Sequence, residues 1–179
     1  MKIIFVVGTT CVGKSTFLEK AKEILQERAG LVEVGKEFRK RYPPERFRGL
    51  AAMPDTEEEA FEIYTEQIRE AYRDKCEYIL VDGQPRSLTQ VERVLAFYPG
   101  ITKEAWWLSV DEEEIHSRLV GRSPVYSEDY KLSYARITND KIQLFPVIWS
   151  LIRRGVLIRC IEHTYLFNYV NFWEQEANE

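Results

Sequence analysis

The stretch that decides the fold is Gly8-Thr9-Thr10-Cys11-Val12-Gly13-Lys14-Ser15, which matches the pattern G-x-x-x-x-G-K-[ST]. It follows the β-branched apolar run Ile3 to Val7, which predicts a strand buried on both faces. A helical pattern begins at Ser15 and has Gly30 as its expected end. A glycine loop in this position turns main-chain N–H groups and the positive end of a helix dipole towards one anion. The stretch therefore predicts a phosphate-binding loop rather than the chance match that average composition allows in about one chain in a hundred.

The predicted loop suits a nucleoside triphosphate. Lys14 would reach the β and γ phosphates as a point charge, and the Ser15 hydroxyl offers one coordination site for Mg²⁺. We therefore expect ATP and Mg²⁺ as cofactors. The predicted donor-binding residues of the loop are Gly8, Thr9, Thr10, Cys11, Val12, Gly13, Lys14, Ser15 and Thr16. Cys11 is open to two interpretations, a small side chain that fills the loop or a redox-sensitive thiol at a helix N-terminus.

Composition indicates one globular domain over residues 1–179. The chain is 45% hydrophobic and 30% charged, and a chain of this length buries a single core. Its net charge of −4 argues against indiscriminate binding of nucleic acid through the whole surface. Cys11, Cys76 and Cys160 have neither metal-ligand spacing nor the density of a disulfide scaffold. With no signal segment or membrane-length apolar run, we expect a cytoplasmic protein, in the host cytoplasm if the chain is viral.

Strands alternate with helices along the chain. Further strands are predicted at Tyr78 to Val81, Ala105 to Val110 and Val156 to Ile161, with helical stretches near 56–75, 89–97, 112–120 and 130–153. This alternation predicts an α/β fold with a parallel, doubly wound sheet flanked by helices on both faces. The least regular part of the chain runs from Tyr42 to Pro54.

A second group of polar residues follows the strand at 78–81. The chain continues Asp82-Gly83-Gln84-Pro85-Arg86, with Gln90 four residues further on. Ligands of open α/β sheets bind at the carboxyl ends of the strands, so Asp82 is expected beside the phosphate loop. Its carboxylate would hold Mg²⁺ directly or through water, and Arg86 and Gln90 would lie across the same crevice.

This segment and the phosphate loop resemble the adenylate-kinase-like nucleoside monophosphate kinases, whose signature is Asp-Gly-Phe-Pro-Arg with Gln four residues after the Arg. The resemblance implies a three-layer P-loop kinase fold. It also implies that Asp82 orients Mg²⁺, that Arg86 binds the acceptor phosphate and that Gln90 faces the acceptor base. Within the core motif only Gln84 departs from the signature.

Three further segments are similar to the same family. Gly35 to Arg39 resembles its Gly-Asp-x-x-Arg stretch, which implies that Gly35 and Arg39 bind the acceptor. Arg118 and Arg122 resemble the arginines at the start of the family's lid, which contact the donor base and phosphates, and Arg136 resembles the arginine that bridges the phosphates during transfer. The resemblance implies an acceptor-binding insertion at about 35–75 and a short lid at about 122–136 that lacks a zinc cluster.

The acceptor has two alternatives. Val34 and Gln84 depart from the adenylate kinase pattern, so AMP is doubtful and another nucleoside monophosphate is the first hypothesis. Residues 36–48 hold six basic residues interleaved with three aromatics, which suits a groove for nucleic acid. The acceptor would then be a hydroxyl on a modified base of phage DNA, such as 5-hydroxymethyluracil. The alternative interpretation of this stretch is a solvated helix face with its rings in the core.

A third hypothesis is a nucleotide-binding switch that phosphorylates nothing. It lacks support because the Asn-Lys-x-Asp motif of GTPases is absent, and Asn139-Asp140-Lys141 only scrambles it inside a predicted helix. His116 and His163 lie outside every motif and are expected to be structural or surface residues. The tail aromatics are expected to pack the last segment on the core or else to form an interaction patch; they are Tyr165, Phe167, Tyr169, Phe172 and Trp173. No membrane partner is expected, and the oligomeric state stays open.

Overall fold

A computed structural model describes residues 1–42, 57–122, 128–164 and 167–178, and in this part of the chain the side chains of 122, 128, 129 and 178 are not described. Within these residues, five strands form one parallel sheet. They are β1 (Lys2–Val7), β2 (Ala29–Val32), β3 (Tyr78–Asp82), β4 (Thr102–Ser109) and β5 (Leu157–Glu162). Their order in the sheet is β2-β3-β1-β4-β5, so β1 lies at the centre. The predicted parallel α/β sheet is confirmed.

Both faces of the sheet are buried. Along β1, Ile3 and Phe5 belong to one core cluster, whereas Ile4 and Val6 belong to the other. Successive side chains of a strand point to opposite faces, so the apolar run of β1 contributes to both clusters at once. This is why the run shows no polar alternation, and the result is the predicted three-layer architecture.

The described part of the chain contains seven α-helices. They are α1 (Lys14–Leu25), α2 (Val34–Arg41), α3 (Glu57–Arg73), α4 (Leu88–Ala96), α5 (Glu112–Arg122), α6 (Glu128–Arg153) and α7 (Tyr169–Asn178). Buried residues of α3, α4 and α6 line one face of the sheet, and those of α1 and α7 line the other. The predicted helices in 56–153 are thus found within a few residues of their expected bounds.

The prediction that Gly30 ends the first helix is wrong. The helix α1 ends at Leu25, a 3₁₀ turn covers Gln26–Arg28, and Gly30 lies inside β2. A Cβ added to Gly30 would lie 2.6 Å from the Cβ of Ala71 on α3, so glycine is needed here for close packing of a helix on the sheet. The sequence did not predict the short strand β2, and it gave a helix in the region of α2 only as one interpretation of residues 36–48.

The predicted insertion at 35–75 and lid at 122–136 stay predictions. The insertion range contains α2 and α3, and residues 43–56 lie outside the described part of the chain. Ile63 and Ile68 of α3 belong to the same core cluster as Ile3 of β1, so this helix is part of the main body of the fold. The lid range joins α5 to α6, and residues 123–127 also lie outside the described part.

The aromatic tail packs on the core, as predicted. Trp173 of α7 is fully buried, with its ring centroid 5.0 Å from that of Phe17 and 5.2 Å from that of Trp106. Phe167, Tyr169 and Phe172 pack against the same cluster, and Tyr165 lies outside the described residues. The last helix therefore closes one face of the sheet through its rings. Among the described helices, none has the length and apolar composition needed to cross a bilayer.

Replacing Trp173 with Ala is expected to lower the free energy of unfolding by about 3–5 kcal/mol, because it empties a volume that the surrounding rings cannot fill. The measurement is urea unfolding followed by far-UV circular dichroism. Trp149→Ala is the matched control, since Trp149 is 54% exposed on α6 and its loss should change stability by no more than about 0.5 kcal/mol. Equal losses for the two variants would contradict the packing described here.

Candidate active site

The parallel pairing of β1 with β3 brings the two predicted halves of the site together. Val6 lies opposite Asp82 in the register, and the N–H of Gly83 donates a hydrogen bond of 2.9 Å to the Val6 carbonyl. Both strands end at the same edge of the sheet. The phosphate loop, which follows β1, therefore lies beside the segment that begins at Asp82.

The phosphate loop has the backbone that its glycines predict. Gly13 has a φ of 99°, and Cys11 also has a positive φ of 67°. A Cβ added to Gly13 would lie 2.6 Å from the ring of His163, so a side chain is excluded by contact as well as by backbone conformation. Cys11 is buried in a small cluster with Ile115, Leu119 and Ile137, which supports its interpretation as a residue that fills the loop.

Lys14 lies at the centre of the site. Its ammonium group donates hydrogen bonds of 2.8 Å to the carbonyls of Gly8 and Thr9. Burial and the neighbouring Arg86 lower the pKa of Lys14 to about 8, although Asp82 and Asp140 act in the opposite direction. When a phosphate binds, the ammonium group can replace its hydrogen bonds to these carbonyls with hydrogen bonds to phosphate oxygens. Ser15 and Thr16 follow it as exposed residues in the first turn of α1.

Asp82 and Arg86 lie where the sequence predicted. Burial raises the pKa of Asp82, and Lys14 and Arg86 only partly oppose that effect. The Nε of Arg86 donates to the Gly83 carbonyl at 2.7 Å. A Cβ added to Gly83 would lie 2.8 Å from Nη2 of Arg86 and 3.4 Å from Cε of Lys14, so both cations flank this glycine. Gly83 has a φ of 61°, and a larger residue would be strained as well as crowded.

Gln90 is buried behind Arg86. Its side-chain Oε1 accepts a hydrogen bond of 2.7 Å from the main-chain N–H of Arg86. The main-chain N–H of Gln90 donates to Oγ of Ser87, the N-cap of α4. The glutamine thus holds the main chain that carries the arginine. Its predicted contact with an acceptor base stays a prediction.

The remaining predicted residues lie on three helices around this centre. Arg39 is exposed on α2 and close enough to Asp82 to act on its pKa, and its guanidinium folds back over Gly35. Arg136 is partly buried on α6. Arg122 ends α5, and its side chain lies outside the described part of the chain.

Arg118 contacts the back of the phosphate loop. Its Nη1 donates to the Val12 carbonyl at 2.6 Å, its Nη2 donates to the His163 carbonyl at 3.0 Å, and its Nε pairs with Glu114 at 2.7 Å. These bonds link α5, the loop and the segment after β5. Arg118 therefore positions the loop, and its predicted contact with the donor base and phosphates stays a prediction.

His163 is a structural residue, as one of the two sequence interpretations had it. It is buried, with Nδ1 2.8 Å from the Val12 carbonyl and Nε2 2.7 Å from the hydroxyl of Tyr169. A carbonyl only accepts, so Nδ1 carries the proton and Nε2 accepts from the tyrosine. Burial lowers the pKa of His163 more than the hydrogen bond with Val12 raises it, and Arg118 lowers it further, so the surroundings favour this neutral form. His116 is exposed on α5, beside Tyr130.

Asp140 is a residue of this site that the sequence did not predict. Asp140 lies on α6, and its Oδ2 accepts hydrogen bonds of 2.7 Å from both the main-chain N–H and the hydroxyl of Thr10 in the phosphate loop. It also lines a crevice with Gly8, Gly83 and Arg86. No local pattern marks it, because the contact joins residues 130 positions apart.

Comparisons with known proteins bear on the family and on the fold. A family model described as AAA domain matches residues 3–139, which is most of the chain. The fold resembles the solved structure of the Deinococcus radiodurans tunicamycin resistance protein, with a TM-score of 0.58 and 17% identity over 99% of this chain and 94% of that chain. At this identity the likeness concerns the fold alone. No curated protein sequence matches.

The lowered pKa of Lys14 predicts that ATP affinity depends on pH. Below about pH 8 the ammonium is charged and the affinity should be constant. Above it, binding requires proton uptake, because the triphosphate favours the charged form. The affinity should therefore fall by up to about tenfold per pH unit. Isothermal titration calorimetry from pH 7 to 9.5 measures this change.

Lys14→Arg is the matched control for this titration, since its guanidinium stays charged over the whole range. Its affinity should be lower at pH 7, because the planar group fits the loop less well, but flat with pH. A wild-type affinity that is equally flat would contradict the described environment of Lys14.

Proposed function

The chain belongs to this AAA-domain family of P-loop, kinase-like proteins, and from that premise we propose that it is an ATP-dependent phosphotransferase acting on a nucleotide acceptor. One observation carries the proposal. Lys14, which belongs to the donor loop, and Arg86, which belongs to the predicted acceptor segment, approach the same glycine, Gly83. Transfer of a phosphoryl group between two substrates needs positive charge close to both the donor and the acceptor. Lys14 and Arg86 would supply these two charges.

The phosphate loop is the donor site. Its main-chain N–H groups and the N-terminus of α1 favour an anion, and Lys14 adds a full charge. On binding, the ammonium would leave the carbonyls of Gly8 and Thr9 for the β and γ phosphates. Arg118 and His163 both bind the Val12 carbonyl of the loop. The loop backbone should therefore change little when the triphosphate binds.

The residues present fit Mg²⁺. Among the described residues no group of three or more metal-binding side chains is found, and Mg²⁺ at a triphosphate does not need one, because substrate phosphates and waters supply most of its ligands. Ser15 offers a hydroxyl in the first turn of α1 and Asp82 a carboxylate on the adjacent strand. The ion would supply charge neutralisation for the β and γ phosphates.

Arg86 and Arg39 are proposed to bind the acceptor. Arg86 is exposed beside Gly83, and Arg39 approaches Asp82 from α2. Guanidinium groups bind phosphate oxygens in pairs, which suits a nucleoside monophosphate as the first candidate acceptor. We assign Arg122 and Arg136 to the charge that develops during transfer, and Gln90 to the positioning of Arg86.

The second candidate acceptor is a hydroxyl on a modified base in DNA. The basic stretch gives it little support in its described part. Lys36, Lys40 and Arg41 form ion pairs with glutamates of α2, α3 and the residue before α2, and the Phe38 ring is buried beside that of Tyr42. Residues 43–48 lie outside the described part. The observation that favours a hydroxyl acceptor is Asp140, whose carboxylate lines the same crevice as Gly8, Gly83 and Arg86.

Lys14→Ala is expected to lower turnover by at least about 100-fold, because it removes the charge that follows the transferred phosphoryl group. ADP release in the presence of an acceptor measures the loss. The melting temperature should not fall, since the substitution removes a buried charge rather than a packed side chain. Retained activity would exclude the loop from the mechanism.

Arg86→Ala is expected to raise the KM for the acceptor by at least tenfold while changing the dissociation constant for ATP by less than about threefold, since charge-assisted hydrogen bonds contribute about 1.5–3 kcal/mol. Steady-state kinetics and calorimetry give the two values. Arg73→Ala is the matched control, because Arg73 is an exposed arginine at the end of α3, away from the site. Equal losses for acceptor and ATP would contradict the assignment of Arg86.

A further inference from the structure

Asp140 is a carboxylate held against the phosphate loop by a helix that belongs to neither predicted substrate segment. Both of its hydrogen bonds with Thr10 use Oδ2, at 2.7 Å. Within the part of the chain that the structure describes, Oδ1 has no hydrogen-bond donor. One oxygen therefore fixes the position of the carboxylate, and the other is available to a substrate.

The carboxylate lies between the donor and acceptor sides of the site. It lines a crevice with Gly8 of the loop and with Gly83 and Arg86 of the acceptor segment. It is also close enough to Lys14 to stabilise its charge.

The two candidate acceptors differ in whether the attacking oxygen has to lose a proton. A phosphate monoester is largely dianionic at neutral pH, because its second pKa is about 6, and its oxygen attacks without losing a proton. A carboxylate beside it would only repel it. A hydroxyl is neutral and must lose its proton as it attacks, which a carboxylate within hydrogen-bond reach can accept.

We infer that Asp140 is the general base of the transfer and that the acceptor atom is a hydroxyl oxygen on a nucleotide. The inference rests on the proposed phosphotransferase function and narrows its acceptor. The shared chemistry is a hydroxyl group on a nucleotide, either free or within DNA, and the hydroxymethylated pyrimidine raised by the sequence is the instance that the test uses. Arg86 and Arg39 then bind phosphates that belong to the acceptor's backbone or 5′ position rather than the reacting group.

The step balances without a further reactant. An oxygen lone pair of the hydroxyl forms a bond to the γ phosphorus as the bond from that phosphorus to the β–γ bridging oxygen breaks. ADP leaves with the electron pair of that bond. The hydroxyl proton passes to Oδ1 of Asp140 and then to solvent.

Two other carboxylates near the site are less suited to this role. Asp82 lies at the end of β3, where Lys14 and Arg86 both act on it, and it is the proposed ligand of Mg²⁺. Glu33 follows β2 and pairs with Lys36 at 3.0 Å. Of the three, Asp140 is the one that contacts the donor loop.

The test offers the wild-type protein radiolabelled ATP with three acceptors: a pyrimidine nucleoside monophosphate, a free hydroxymethylated pyrimidine nucleotide, and a DNA oligonucleotide that carries the same hydroxymethyl base. Transfer to the hydroxymethyl group of either alcohol supports the inference, and the two arms identify its source. Transfer to the phosphate of a monophosphate alone would overturn it while leaving the proposed function intact. Transfer to nothing in the presence of bound ATP would overturn both.

Asp140→Asn then tests the residue. The amide oxygen can still accept from Thr10, so the melting temperature and the dissociation constant for ATP should stay within twofold of wild type. The kcat for the alcohol should fall by about 10²–10⁴-fold with its KM little changed. Glu33→Gln is the matched control, and its kcat should stay within threefold. Wild-type kcat in the Asp140 variant, or the large loss in the Glu33 variant instead, would overturn the assignment.

Should Asp140→Asn fail to fold, Asp140→Glu provides the residue test. It keeps the carboxylate but moves it by one methylene, so it should retain ATP binding and lose at least tenfold in kcat on the alcohol. Unchanged kcat in this variant would count against a base at this position.

Discussion

The site depends on the parallel pairing of β1 with β3 at the centre of the sheet. The hydrogen bond from Gly83 to Val6 fixes the ends of the two strands side by side. The phosphate loop that follows β1 therefore lies beside the segment that follows β3, and Lys14 lies close to Asp82 and Arg86. A shift of the register by one residue would move each of these groups by more than 3 Å and turn it to the other face.

The phosphate loop is held from several directions. Behind it, Arg118 and His163 bind the same carbonyl, that of Val12, and connect the loop to α5 and to the segment before α7. In front of it, Asp140 binds Thr10. The aromatic packing of α7 therefore reaches the site through Tyr169 and His163, so the last helix supports the loop as well as the core.

The buried charged groups of the site lower the stability of the fold. Burial lowers the pKa of Lys14 and raises that of Asp82, so burial disfavours the charged form of both groups. Neighbouring groups of opposite charge offset part of this cost. A triphosphate and its magnesium ion would offset more, which is why such groups are kept where a ligand binds rather than in an ordinary core.

Local sequence determined the phosphate loop, the apolar strands and most of the helices, because glycine conformation and the period of apolar residues act over a few residues. It failed at Gly30, where the reason for a glycine is the approach of Ala71 from another element. Only the tertiary structure decided that Asp140 contacts Thr10 and that His163 contacts Val12, 130 and 151 residues away. The physical reason is that polar contacts between distant elements follow from how helices pack on the sheet, and no short stretch of sequence records that packing.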